Sequence, residues 1–166
     1  DSDSAGQLFI VNAGKRGATT TFDAAAISDL TVRGGAIAQP ELPPVNLPAL
    51  RITNLFVGAD SWLRSWDSAP FLVMVSGNAT VESNGIINAD FVALTGLGTG
   101  QIPTCGASAG ASYGGVGGAS VCGTKTGNVY GSIAHPVDMG SGGSPNSHGG
   151  GAINLTVAGA LSLSGR

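Results

Sequence analysis

Apolar residues recur along this chain in runs of about three to six, and Gly, Asn, Ser or Asp interrupts them about every five to ten positions. After Leu50 no stretch sustains an apolar period near 3.6 residues, so the pattern predicts strands and turns rather than helices. The first strands are Leu8 to Val11 and Thr19 to Phe22, with a turn at Gly14-Lys15-Arg16-Gly17 between them. Asp23 to Leu30 reads two ways. Ala24-Ala25-Ala26 favours a helical turn, whereas Ala26-Ile27 and Leu30-Thr31-Val32 read as strands around an Asp turn. Further strands are predicted over Leu50 to Val57 with a register change at Asn54, over Phe71 to Val75, Ala79 to Val81, Ile86-Ile87 and Phe91 to Leu94. The last pair is Asn154 to Val157 and Leu161 to Leu163, with Ile153, Leu155 and Val157 facing inward and Asn154 outward.

Two segments break this pattern. Pro40 to Pro48 holds four prolines in nine residues and reads as an extended connector, because proline donates no ladder hydrogen bond. It divides a β-rich segment, 1–39, from a main body, 49–166. Within that body, 98–151 holds 17 of the 28 glycines and reads as one long loop packed flat on the strands. Short strands with polar corners favour an all-β irregular parallel β-helix, or β-solenoid, over the alternative of an antiparallel β-sandwich. No strict repeat period is visible, which sets aside a regular repeat array.

Only 10% of the residues are charged and the net charge is −3, with seven scattered cations. No basic stripe is present, so nucleic acid is not an expected partner. The longest apolar runs fall far short of the roughly 20 residues that span a bilayer, so no membrane span is expected. A weakly charged surface does little to repel its own copies and suits a protein that assembles. Cys105 and Cys122 are expected to form a disulfide that clips the glycine-rich stretch, which places the protein in an oxidising, extracellular compartment. Two thiols without a neighbouring His or second Cys pair do not make a zinc cage, and no metal or other cofactor is expected. The sequons Asn78-Ala79-Thr80 and Asn154-Leu155-Thr156 point to the same compartment as glycosylation sites.

The run Gly77-Asn78-Ala79-Thr80-Val81-Glu82-Ser83-Asn84-Gly85-Ile86-Ile87-Asn88-Ala89 is similar to one coil of a secreted, adhesin-like parallel β-helix. Tyr130 to Gly143, followed by Gly149 to Gly165, resembles the glycine-rich loop and strand pair of large extracellular β-helix proteins. The resemblance covers about Phe71 to Arg166 and implies a β-helix in an extracellular setting, among adhesins and matrix components.

Candidate chemistry is sparse. Trp62 and Trp66, flanked by Asp60 and Asp67, either form a sugar-stacking platform or pack at the end of the core or under the proline connector. His135, Asp138 and His148 could serve as base and carboxylate of a hydrolytic site, but His135 precedes Pro136 and Asp138 suits a turn, so no catalytic residue is assigned. The strand ending at Leu163 is followed by Ser164-Gly165-Arg166, and this predicts an uncapped edge, left by processing or used for stacking. The expected function is a non-catalytic, secreted structural protein that self-associates, as a filament, sheath, adhesive or biomineral matrix component. Its partners would be its own copies or flanking segments of a larger chain, and glycans or a mineral surface. A carbohydrate-binding adhesin module is the alternative, and a polysaccharide-active enzyme of β-helix fold the second alternative.

Overall fold

The computed structural model describes residues 6–25, 27–41, 49–66, 69–90, 98–99, 109–123, 126–143 and 147–165. Twelve strands and no helix occur among them: β1 (Gly6–Val11), β2 (Thr19–Phe22), β3 (Ile27–Arg33), β4 (Ile37–Pro40), β5 (Ala49–Ile52), β6 (Asn54–Val57), β7 (Trp62–Arg64), β8 (Phe71–Val75), β9 (Ala79–Val81), β10 (Ile86–Asn88), β11 (Ile153–Val157) and β12 (Leu161–Leu163). They form three sheets, ordered β1-β3-β6-β9-β12, β10-β7-β4-β2 and β11-β8-β5. From β4 onward, consecutive strands visit the four-, three- and five-stranded sheets in rotation. Each ladder with a described register is parallel, which overturns the antiparallel sandwich. None of the sheets closes on itself.

The chain separates into two compact units. The first comprises Asp1–Trp66, Phe71–Asn88 and Asn154–Arg166; the second comprises Asp67–Pro70 and Ala89–Ile153. In the first unit the core is a set of straight columns. Leu8, Leu30, Leu55, Ala79 and Leu161 align across the five-stranded sheet, and Ile10, Val32, Val57, Val81 and Leu163 align beside them. Leu30, Val32, Leu55, Val57, Ala79 and Val81 are all buried. The three-stranded sheet adds Leu50 with Val73 and Ile52 with Val75, and the four-stranded sheet adds Ala38 with Leu63. β-Branched and small apolar side chains fill such columns because each must fit under its in-register neighbour. Ile10, Val32, Val57 and Val81 lie 22, 25 and 24 residues apart (32−10, 57−32, 81−57), so a loose period exists that the sequence pattern hides.

Several local expectations change. Ile27–Arg33 is one strand, not a helical turn. Gly6 faces Ile27 and Gln7 faces Asp29, so Ser28 is an extra, bulged residue; the expected Asp turn is absent, because Asp29 pairs within the strand on both sides. Pro40 ends β4, which lies between β2 and β7, and is buried; its missing N–H is tolerated there because this last residue has a described partner only on the β2 side. Residues 42–48 of the proline-rich segment and the predicted strand 91–94 lie outside the described residues. β3 pairs with β6, so strands from either side of that segment share a sheet. The register change near Asn54 is a corner at Thr53 that separates β5 from β6 in different sheets. In β11, Leu155 and Val157 are half-buried while Ile153 and Asn154 are exposed.

A column of amide and carboxylate side chains ties the layers at the start of the five-stranded sheet. Asn54 donates to the Asp29 carboxylate through its main-chain N–H (3.1 Å) and its side-chain amide (2.8 Å). Asn78 N–H donates to Asn54 Oδ1 (3.0 Å), and Ala160 N–H donates to Asn78 Oδ1 (2.9 Å). Gln7 Nε2 donates to the other Asp29 oxygen (3.3 Å). Three of these bonds, from Asn54, Asn78 and Ala160 N–H, satisfy main-chain donors at the corner, and the other two join side chains across layers.

The second unit is held differently. Main chain packs on main chain: Gly110 N–H donates to Gly118 O, Ser112 N–H to Gly98 O and Gly140 N–H to Gly150 O, each at 2.8 Å. Buried Ser112 accepts from Gly117 N–H (3.0 Å) and donates to Gly127 O (2.7 Å). Tyr130 meets Tyr113 edge-on and donates its hydroxyl to Met139 O (2.6 Å). At Gly142 a Cβ would fall on the Ser147 carbonyl, so no other residue fits that approach.

Truncating Leu63 to Ala removes a fully buried side chain of a central strand and is expected to cost about 2–5 kcal/mol in chemical denaturation. Asn54→Ala removes the side-chain ties to both Asp29 and Asn78 and is expected to cost about 1–3 kcal/mol in the same measurement.

Candidate functional site

The residues singled out from sequence do not converge. His135, Asp138 and His148 are all exposed in the second unit, and no described hydrogen bond joins their side chains. His135 serves its own turn, its N–H donating to Ser132 Oγ (3.1 Å) and its carbonyl accepting from Val137 N–H (2.9 Å). Among the described residues no group of three His, Cys, Asp or Glu is placed to hold a metal ion, and no helix is long and apolar enough to cross a membrane. Cys105 lies outside the described residues. Cys122 sits on an exposed turn, its N–H donating to Ser120 Oγ (3.3 Å).

The two sequons differ in their engagement. Asn78 is a member of the layer-tying column, whereas Asn154 is exposed on β11, an edge strand, and among the described residues accepts only from the Thr156 hydroxyl (3.3 Å). The tryptophans also part. Trp66 is 2% exposed and meets Phe71 edge-on, with ring centroids 5.0 Å apart, so it belongs to the core and offers no face to a sugar. Trp62 is half-buried on the outer side of β7, aligned between Ile37 and Ile86. The Arg16 guanidinium lies 4.6 Å from its ring centroid, so the ring is not a bare platform. Its Nε1–H is buried without a partner among the described residues.

Two grooves mark the surface of the first unit. One, of about 460 Å³, runs past Ile27, Ile52, Met74 and Val75 and is mostly apolar; the Arg51 guanidinium there rests on the Met74 thioether (2.9 Å). The other, of about 390 Å³, is mostly polar and is lined by Arg16, Asp60, Trp62, Ser83, Asn84, Ile86, Ser164 and Gly165. It follows the turn that leads from the five-stranded to the four-stranded sheet. Gly35, Asp60 and Asn84 stand two residues before the aligned Ile37, Trp62 and Ile86, and all three hold positive φ (81°, 56° and 62°). Asp and Asn are the side chains best tolerated in that conformation. Asp60 stands out in sequence beside Trp62, and Asn84 only within the run 77–89 that is similar to a β-helix coil. Arg16 reads only as part of a turn and Ser83 only as part of the same run, because nothing local shows that the three segments stack.

Arg16→Gln removes the cation from the Trp62 ring and is expected to red-shift the tryptophan emission and cost about 0.5–1 kcal/mol, read by fluorescence and thermal unfolding. Unchanged emission would mean that Arg16 does not cover the ring in solution. No protein-family model, curated protein or solved structure matches the chain, so its own geometry is what bears on function.

Proposed function

We propose that this chain is a secreted, non-catalytic structural module, folded as an irregular parallel β-helix, that associates with further copies of itself through the edges of its sheets. The observation that carries this is the state of β12. Leu161 and Leu163 stand in line with the buried Ala79 and Val81, on the side that faces the core in β6 and β9, yet they are 49% and 59% exposed. Among the described residues β12 pairs on one side alone, with β9, so its other side is a template for another strand. A second copy adding β1 beside β12 would supply Leu8 and Ile10, which already occupy the same two columns. The low charge of the chain leaves little repulsion to prevent this.

The rotation of strands through three parallel sheets supports the β-helix reading. The likeness of 77–89 to one coil of adhesin-like β-helices, the cysteine pair and the exposed Asn154 sequon support the extracellular one. The scatter of His135, Asp138 and His148 over exposed loop supports a role without catalysis.

Purified protein is expected to form concentration-dependent assemblies in sedimentation and electron microscopy, and a Leu161→Lys, Leu163→Lys double variant to remain monomeric. A parent protein that stays monomeric at high concentration would overturn self-association. Peptide mapping by mass spectrometry without reductant is expected to recover a Cys105–Cys122 cross-linked peptide from secreted material; recovery of both as free thiols would remove the argument for an oxidising compartment.

A further inference from the structure

The first unit has two lines of polar corner residues, and they are used in opposite ways. At the start of the five-stranded sheet, Asp29, Asn54 and Asn78 spend their side chains on binding one layer to the next. At the turn after that sheet, Glu82 makes one such bond, accepting from Ala59 N–H (3.0 Å). The side chains of Asp60, Ser83 and Asn84 make no described hydrogen bond, and the described interaction of the Arg16 side chain is with the Trp62 ring. Three layers therefore bring unspent planar and hydroxyl groups to one side of a groove of about 390 Å³, beside an aromatic ring.

We infer that this groove is a binding subsite for a neutral saccharide. Its groups match that ligand in three respects. The groove carries one cation and one carboxylate, Arg16 and Asp60, so it favours neither an anion nor a metal ion. The guanidinium only donates, the carboxylate only accepts, and the amide and hydroxyls do both, which suits ligands whose hydroxyls also do both. Asp60 and Asn84 belong to adjacent layers about 4.8 Å apart, so two planar groups face the ligand at regular spacing. The Arg16 guanidinium lies over the Trp62 ring and has no described carboxylate partner, so its donors are available to a pair of ligand hydroxyls. The volume lies within the range of small-molecule sites. Trp62 takes part as the support under Arg16 and as an apolar wall, with Asp60, Asn84 and Arg16 supplying the polar contacts. This inference does not depend on self-association, because neither Leu161 nor Leu163 lines the groove.

The test uses short neutral oligomers of glucose, mannose, xylose and N-acetylglucosamine, with an oligogalacturonate as the acidic comparison, titrated calorimetrically and by nuclear magnetic resonance. The chain has two tryptophans, hence two indole N–H signals. At least one oligomer is expected to bind and to shift the Trp62 signal saturably while the Trp66 signal stays in place. Asp60→Gly and Asn84→Gly keep the positive-φ turn and are expected to fold as the parent does, while weakening binding about tenfold or more. Lack of heat and of shift with all four oligomers would overturn the inference. So would equal affinity in both glycine variants, or binding confined to acidic oligosaccharides, which Arg16 alone would explain.

Discussion

Parallel pairing in register is the constraint on which the first unit rests. The side chains of a strand alternate between faces, so a slip of one residue between β3 and β6 would turn Leu30 and Val32 away from Leu55 and Val57. The apolar columns penalise such a slip, and the amide column fixes the register from outside the core. Asn54 reaches Asp29, and Asn78 reaches Asn54, only when the layers are aligned. Burial thus supplies the driving force and the corner hydrogen bonds supply the specificity. The bulge at Ser28 and the corner at Thr53 show how this register survives layers of unequal length: the extra residues are taken up where the chain changes direction.

Much of this was legible in the residues. Thr19–Phe22, Phe71–Val75 and Ala79–Val81 are strands at the expected bounds, because each is a short run of β-favouring residues flanked by turn residues. The period was not legible. Its spacing varies, and the identity of a layer lies in its contacts rather than in repeated letters. The strand at 27–33 was obscured by helix-favouring alanines before it and by an Asp that reads as a turn residue but serves as an acceptor for Asn54. Helix propensity lost there to pairing on both sides, with β1 and β6.

The polar groove was half legible. Asp60 and Trp62 are neighbours in sequence and read as one group, but Arg16 comes from the β1–β2 turn and Ser83 and Asn84 from the turn after β9. A site assembled from the same corner of different layers leaves no contiguous motif. Trp66, four residues from Trp62, looked equivalent to it. Burial against Phe71 separates the two, since one side chain fills the core and the other faces out. The same holds for the sequons, where only Asn78 is drawn into the tie between layers.

The glycine-rich unit inverts the usual map of tolerance. In the strands, an outward residue such as Thr80 or Ser162 is replaceable and the apolar columns are not. In the glycine-rich unit the apolar side chains Val121 and Ile133 stand in solvent, while at Gly142 even a methyl group would strike main chain. A stretch of low complexity there is an exacting one. Selection acting on it would spare the conspicuous valines and isoleucines and guard the residues that have no side chain at all.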